Sequence, residues 1–238
     1  MGPPHDERDL YNPIDRSASQ EEKAKHLHEL SKANEPLVRE AVAQIDSDLK
    51  TQSKVSLKKL ENILAKARRP SILATKPWFD VEYVRDALRF KTAMDHFDQA
   101  IPIKSILASR QFETVKIDTE KMLLPKEWGW RFWGLDLRMR GGQLVEFYSP
   151  LKELDAPEVK DANHELFENW RGKSSEEINA TRESFQAYRT DVMASFDRYD
   201  AAYQAALIRM GFSRPADAGT EADEEAAAVA WQDVAAQL

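Results

Sequence analysis

The sequence predicts an α+β fold: a mixed sheet of about four or five strands flanked by helices, with helical extensions at both ends. Three observations predict it. Apolar residues recur at three- and four-residue spacing up to about residue 67. The period drops to two at 113–118 and again over about 135–148. It returns to the helical value after 158.

Residues 1–19 carry three prolines and mixed charge, and read as a flexible leader. From Gln20 to about Leu49 the apolar positions Leu27, Leu30, Leu37, Val38, Ala41, Val42 and Ile45 keep helical spacing. Pro36 is expected to divide this stretch into two helices, because proline fits the first turn of a helix but not its interior. Ser56 is placed to cap a third helix running to about Ala67, with Leu57, Leu60, Ile63 and Leu64 on one face. Residues 90–94 form a short strand and 98 to about 110 a helix. Glu113 to Asp118 alternates strictly, as a half-buried strand does. A loop rich in charge and tryptophan, 119–131, leads to two short strands around Arg140-Gly141-Gly142, which read as a β-hairpin.

Helical periodicity resumes over 158–171 and 174–210. Phe185, Tyr188, Val192, Phe196, Tyr199 and Tyr203 form one stripe, read as packing surface. Residues 216–238 hold six acidic and no basic side chains and are rich in alanine, which favours a helix from about Glu221. That segment is either a solvated tail or one that caps the fold or binds a partner. The expected organisation is a leader (1–19), a core domain (20–173), a C-terminal helix packed on it (174–212) and the acidic tail (213–238).

Composition removes whole classes of chemistry. The 238 residues include no cysteine, which excludes disulfide scaffolds, thiolate metal sites and cysteine nucleophiles. There are only eight glycines, and neither GxGxxG nor GxxxxGK[ST] can be written from them. Phosphate binding must therefore use side chains. Four of the eight glycines fall between Gly129 and Gly142. No run of 18 apolar residues and no Sec-type leader is present, so the expected location is cytoplasmic, or a target cell reached as a delivered effector domain.

The net charge is −7, yet residues 53–91 carry ten basic and four acidic side chains, a local excess of +6. Lys58 and Lys66, eight apart on a predicted helix, point the same way and with Arg68 and Arg69 suit a polyphosphate. Asp86 sits where a helix gives way to a strand. Glu146 shares a strand face with Leu144 and Tyr148, opposite the core face of Val145 and Phe147. Two carboxylates beside a basic run suit a Mg²⁺–triphosphate and a hydroxyl nucleophile that needs a base. Asp136 reads as either functional or a cross-strand ion-pair residue.

Lys58, Asn62-Ile63 and Lys66, then Asp86, Gly129-Trp130-Arg131, Glu146, and the run from His164 to Arg171 together resemble the synthetase domain of the RelA/SpoT family. The resemblance covers about residues 50–171. The segment 79–89 and the His164 block are most similar to the small, toxin-like synthetases and effector domains. What the resemblance implies is a nucleotidyltransferase-like fold and transfer of the β,γ-pyrophosphate of ATP to the 3′-hydroxyl of a purine nucleotide, making ppGpp- or ppApp-type alarmones. By the same likeness, Asp86 and Glu146 hold Mg²⁺, and Glu146 activates the hydroxyl. Lys58 and Lys66 face the ATP phosphates, with Arg89 or Lys91 a further candidate, and the basic run adds Arg68 and Arg69 as ATP-binding candidates. Trp130 or Phe132, with His164 and Arg171, face the acceptor; Lys126 and Arg131, which flank the glycine loop, either meet acceptor phosphates or are solvated, and Tyr148, in place of the family's glutamine, is a further acceptor candidate. A growth-inhibiting role, with an antitoxin or immunity protein as partner, belongs to the same expectation.

The chain departs from the family in the acceptor motifs. E-x-Q is here Glu146-Phe147-Tyr148, and Gly-Tyr is Gly129-Trp130. Adenine nucleotides, guanine nucleotides and a tRNA 3′ end all stay open as acceptors, as does a catalytically dead interaction protein of the same fold.

Overall fold

The computed structural model describes residues 9–212 and 221–238. Helix α1 spans Gln20–Leu49 and starts in a capping box, in which Ser19 and Glu22 bond each other's backbone N–H. Pro36 lies inside α1 and does not divide it. Both Pro36 and Lys32, one turn earlier, are exposed, so the carbonyl deprived of its helical donor faces water. The buried stripe of Leu27, Ser31, Val38, Ala41 and Ile45 continues past the proline and holds the helix together.

Five strands form one sheet: β1 (Ser53–Leu57), β2 (Leu88–Thr92), β3 (Glu113–Asp118), β4 (Trp133–Arg138) and β5 (Leu144–Ser149), in the order β1-β2-β5-β4-β3. β2 runs parallel to β5, with Arg89 opposite Glu146, Phe90 opposite Phe147 and Lys91 opposite Tyr148. β4 and β5 are the expected hairpin. Met139 N–H donates to the Gln143 carbonyl and Gly142 N–H to the Met139 carbonyl, both at 2.9 Å. Gly141 and Gly142 adopt φ of 99° and 91°, a conformation other residues reach only under strain. The remaining helices are α2 (Leu60–Ala67), α3 (Pro70–Leu73), α4 (Ala100–Ser109), α5 (Pro157–Trp170), α6 (Ser175–Ile178), α7 (Arg182–Met210) and α8 (Glu221–Ala235). This is the predicted α+β class.

Four local expectations change. Ser56 lies within β1 rather than capping a helix, and α2 begins after Lys59, which makes no side-chain cap bond. The strand expected at 90–94 lies two residues earlier. The helix expected over 174–210 is two, because Ser174 and Thr181 each accept from a backbone N–H three residues on and start separate helices. Residues 10–14, expected in a flexible leader, are packed: Leu10, Asn12 and Ile14 are buried.

The chain divides into two compact units. The first, residues 9–91, 105–117 and 135–148, carries α1, α2 and nearly all of the sheet. Ile14, Ala24, Leu27, Ile63, Ala67, Val81, Val84 and Ala87 form its apolar cluster beside the segment that bears Asp86. The second unit is 92–104, 118–134 and 149 onward. There α5 packs on α7, and α8 buries Trp231, whose indole N–H donates to the Thr119 carbonyl at 2.8 Å. The segment 221–238 thus packs on its own unit rather than lying free as a solvated tail. Residues 213–220 lie outside the described residues. Within the stripe on α7, Tyr199 and Tyr203 are buried while Phe185 and Phe196 are exposed, so only part of it is packing surface.

Candidate active site

The first unit gathers seven of the expected residues: Lys58, Lys66, Asp86, Arg89, Lys91, Glu146 and Tyr148. Asp86 sits in a short turn of 3₁₀ type, Arg85–Ala87, just ahead of β2. Its side chain is buried, and its two oxygens meet two ammonium groups: Lys58 Nζ at 3.1 Å from Oδ2 and Lys66 Nζ at 2.8 Å from Oδ1. The two lysines do converge, but not as neighbours on one helix. Lys58 lies in the link between β1 and α2, and Lys66 in the last turn of α2. The Lys58 N–H donates to the Ala87 carbonyl at 2.8 Å, and His28 Nδ1 lies 3.1 Å from the Lys58 carbonyl, so its backbone is held from two sides.

Strand alternation then sets the face. Phe90 and Phe147 turn to the core, their rings 5.0 Å apart, which leaves Arg89, Lys91, Glu146 and Tyr148 on the opposite face. Leu144, expected on that face with Glu146, is fully buried. Continuing the hairpin register from the Met139–Gln143 pair brings Asp136 of β4 opposite Glu146. Glu146 is thereby flanked by a guanidinium on one side and a carboxylate on the other. Asp136 is itself ion-paired with Arg85, a partner the sequence did not reveal, since the two lie 51 positions apart.

The electrostatics separate the two candidate carboxylates. Burial by itself pushes Asp86 up, but Lys66 and Lys58 outweigh it and hold the carboxyl at about 2. Burial, then the charges of Asp86 and Asp136, raise Glu146 above the usual carboxylate range, with Lys66 and Arg89 opposing. Burial lowers the Lys58 ammonium, with Asp86 opposing. One carboxylate is a firm anion and the other holds protons more readily, a division of roles suited to acid–base chemistry.

The donors also suit a hard divalent cation. Among the described residues no cluster of three or more His, Cys, Asp or Glu could hold a metal on its own. Mg²⁺ held by one or two carboxylates and completed by phosphate oxygens needs only Asp86 and Glu146.

The remaining expected residues are elsewhere or otherwise engaged. Arg68 is half-exposed and paired with Gln20 and Glu21 of α1; Arg69 stands at the start of α3. The acceptor candidates other than Tyr148 belong to the second unit. Trp130 and Phe132 lie with ring centres 5.2 Å apart, and Lys121 Nζ sits 4.8 Å above the Phe132 ring. Arg131 is buried, donating to the Leu123 carbonyl, 3.4 Å from Asp200 and stacked on Tyr203. Lys126 is exposed, and its carbonyl accepts from the Gly129 N–H. His164 and Arg171 flank Glu168 of α5 at 3.4 and 2.6 Å.

No family model matches the chain, and no curated protein does. Solved structures do. Small alarmone synthetase 2 from Bacillus subtilis aligns with a TM-score of 0.57 at 13% identity, over 79% of this chain and 96% of its own. Small alarmone synthetase 1 from Bacillus subtilis, bound to its product pppGpp, aligns at 0.43 and 22% identity over 73% and 98%. The Type VI effector Tas1, in complex with its immunity protein, aligns at 0.49 and 14% identity over 75% and 95%. The likeness to small alarmone synthetase 2 is one of fold: the expected synthetase-type fold is the fold of this chain. Among the described residues no helix is long and apolar enough to cross a membrane.

Proposed function

We propose that this chain, folded as small alarmone synthetase 2 is, transfers the β,γ-pyrophosphate of ATP to the 3′-hydroxyl of a purine nucleotide. The observation that carries the reading is the cluster of Lys58, Lys66, Asp86 and Glu146, two ammonium groups and two carboxylates of unequal basicity on one unit. In the reaction the 3′-oxygen bonds to the β-phosphorus, the bond from that phosphorus to the α,β-bridging oxygen breaks, and AMP leaves. Glu146 takes the hydroxyl proton, a role its raised affinity for protons suits. Lys58 and Lys66, with Arg89 alongside, supply positive charge for the triphosphate, where positioning and charge stabilisation provide most of the rate. Mg²⁺, held by Asp86 and Glu146, would neutralise charge on the transferred group.

The test is to incubate the protein with labelled ATP, Mg²⁺ and, in turn, AMP, ADP, ATP, GDP, GTP and tRNA. The expected result is a 3′-pyrophosphorylated nucleotide together with stoichiometric AMP. Label on tRNA would move the acceptor to an RNA 3′ end. Absence of product with every acceptor would sink the reading.

A further inference from the structure

We propose that Asn12 is a positioning residue, which fixes the spacing of Asp86 and Glu146 by tying together the two chain segments that carry them. The proposal rests on the reading of those two carboxylates as the catalytic pair. Its origin is geometric. Glu146 is held in the sheet ladder, but Asp86 is not: the β2–β5 register matches Glu146 to Arg89, and Asp86 precedes it in a turn with φ −93° and ψ 22°. The ladder alone therefore leaves the separation of the two carboxylates to be set by something else.

Asn12 supplies that link. Its side chain is completely buried, at 0% exposure. Nδ2 donates to the carbonyls of Glu82 and Val84, each at 3.0 Å, while Oδ1 accepts from the Leu144 N–H at 2.9 Å. The Asn12 backbone N–H adds a bond to the Glu82 carbonyl at 2.7 Å. Val84 is two residues ahead of Asp86 and Leu144 two residues ahead of Glu146. A primary amide is the one short side chain that offers two donors and an acceptor, and all three are used. Aspartate would set an oxygen against two carbonyls, and an apolar residue would take the side-chain partner from the buried Val84 carbonyl and Leu144 N–H, while the Glu82 carbonyl would keep only the Asn12 backbone N–H.

The surrounding segment is also packed by contacts that are separate from the Asn12 bonds. Ile14 belongs to the apolar cluster with Val84 and Ala87. The Arg16 guanidinium lies 3.8 Å over the Tyr11 ring and donates to the Tyr83 hydroxyl at 3.3 Å. Pro13 borders Gly142 at the hairpin turn, where an added Cβ would stand 3.5 Å from Pro13 Cγ. Lys23, buried, pairs with Asp80 at 2.7 Å and Glu82 at 3.1 Å, holding the same approach to Asp86 from α1.

The experiment compares Asn12→Ala, Asn12→Asp and, as a control, Ile14→Ala, which removes buried apolar surface from the same segment without touching the tie. Hydrogen–deuterium exchange is followed on peptides covering 82–88 and 143–147, and kcat and KM for ATP are measured with whichever acceptor the wild-type protein uses. The expected result for Asn12→Ala is faster exchange in both peptides and a kcat about 10- to 100-fold lower, with KM for ATP within about three-fold. Asn12→Asp, which keeps the acceptor for Leu144, should loosen 82–88 more than 143–147. Ile14→Ala should lower the thermal midpoint while keeping kcat. An unchanged kcat in Asn12→Ala, exchange that rises only within residues 9–19, or an equal kcat loss in Ile14→Ala overturns the proposal. If Asn12→Ala does not fold, Asn12→Asp decides by the same two measurements. If the wild-type protein has no turnover, the function reading has failed, and coupled exchange in the two peptides still decides whether Asn12 ties them.

Discussion

Replacing Asp86 by asparagine in the metal- and nucleotide-free protein removes the counter-charge of two ammonium groups at 3.1 and 2.8 Å. A carboxyl held at about 2 against an ordinary 3.8 corresponds to about 2 kcal/mol, at roughly 1.4 kcal/mol per pH unit. The folded value is the lower one, so this stability is present above about pH 4 and is lost as the pH falls towards 2. In a chain of this size 2 kcal/mol moves the thermal midpoint by about 4–8 °C. Asp86→Asn should therefore unfold several degrees below wild type at pH 7, with the gap closing at pH 2. Glu146→Gln should do the opposite. Its carboxyl is raised on folding, so ionisation opposes the native state, and the neutral amide relieves that penalty. Both variants should lose turnover. Thermal unfolding followed by circular dichroism, in EDTA, at pH 7 and in steps down to pH 2 measures all of this. An Asp86→Asn midpoint equal to wild type at pH 7, or shifts of the same sign in both variants, would refute the electrostatic reasoning.

Three further outcomes follow from the same geometry. Lys66→Met should weaken binding of a non-hydrolysable ATP analogue by at least about ten-fold in calorimetry, since a charge-assisted contact to phosphate is lost; unchanged affinity would remove Lys66 from the ATP site. Gly129→Ala should destabilise by about 3 kcal/mol in urea unfolding. Its φ is 83° and a new Cβ would lie 2.7 Å from the Phe196 Cα, so strain and overlap add. Trp231→Ala should cost about 3–5 kcal/mol in the same assay, because α8 buries that indole against Phe97, 5.4 Å between ring centres; a wild-type transition would show that α8 contributes no stability.

How far the molecule can be read from its residues depends on the range of each interaction. The interior strands were legible because alternation is a local signal: Val145 and Phe147 inward, Glu146 and Tyr148 outward. β1 was not, since it is a five-residue edge strand, half-buried at alternate positions, with Val55 and Leu57 as its only apolar residues. Pro36 misled for the opposite reason. The local rule is sound, but one missing bond on the wet side of a thirty-residue helix is outweighed by the buried stripe that continues on either side of it. Ser174 and Thr181 are of the residue types that cap helices, but the helical periodicity over 174–210 carries no sign of the break between them.

The site shows the same division more sharply. Lys58, Lys66, Asp86 and Glu146 were legible from charge placed beside a change of period, and they converge, although the expected reason for the two lysines was wrong. Neighbours on one helix would have presented parallel charges to solvent. What draws Lys58 and Lys66 together is a buried carboxylate between them, which no spacing within residues 58–66 encodes. Arg85 with Asp136, and Asn12 with Leu144, stand 51 and 132 positions apart. Asp136 could be singled out from its sequence setting, but neither pairing could, so only the fold discloses the partners. They are also the residues that control how the legible ones work. Asp136 raises the proton affinity of Glu146, and Asn12 governs the segment that delivers Asp86. In this chain the groups proposed to perform the chemistry announce themselves by type and local setting, whereas the groups around them are tied to their roles only by their partners.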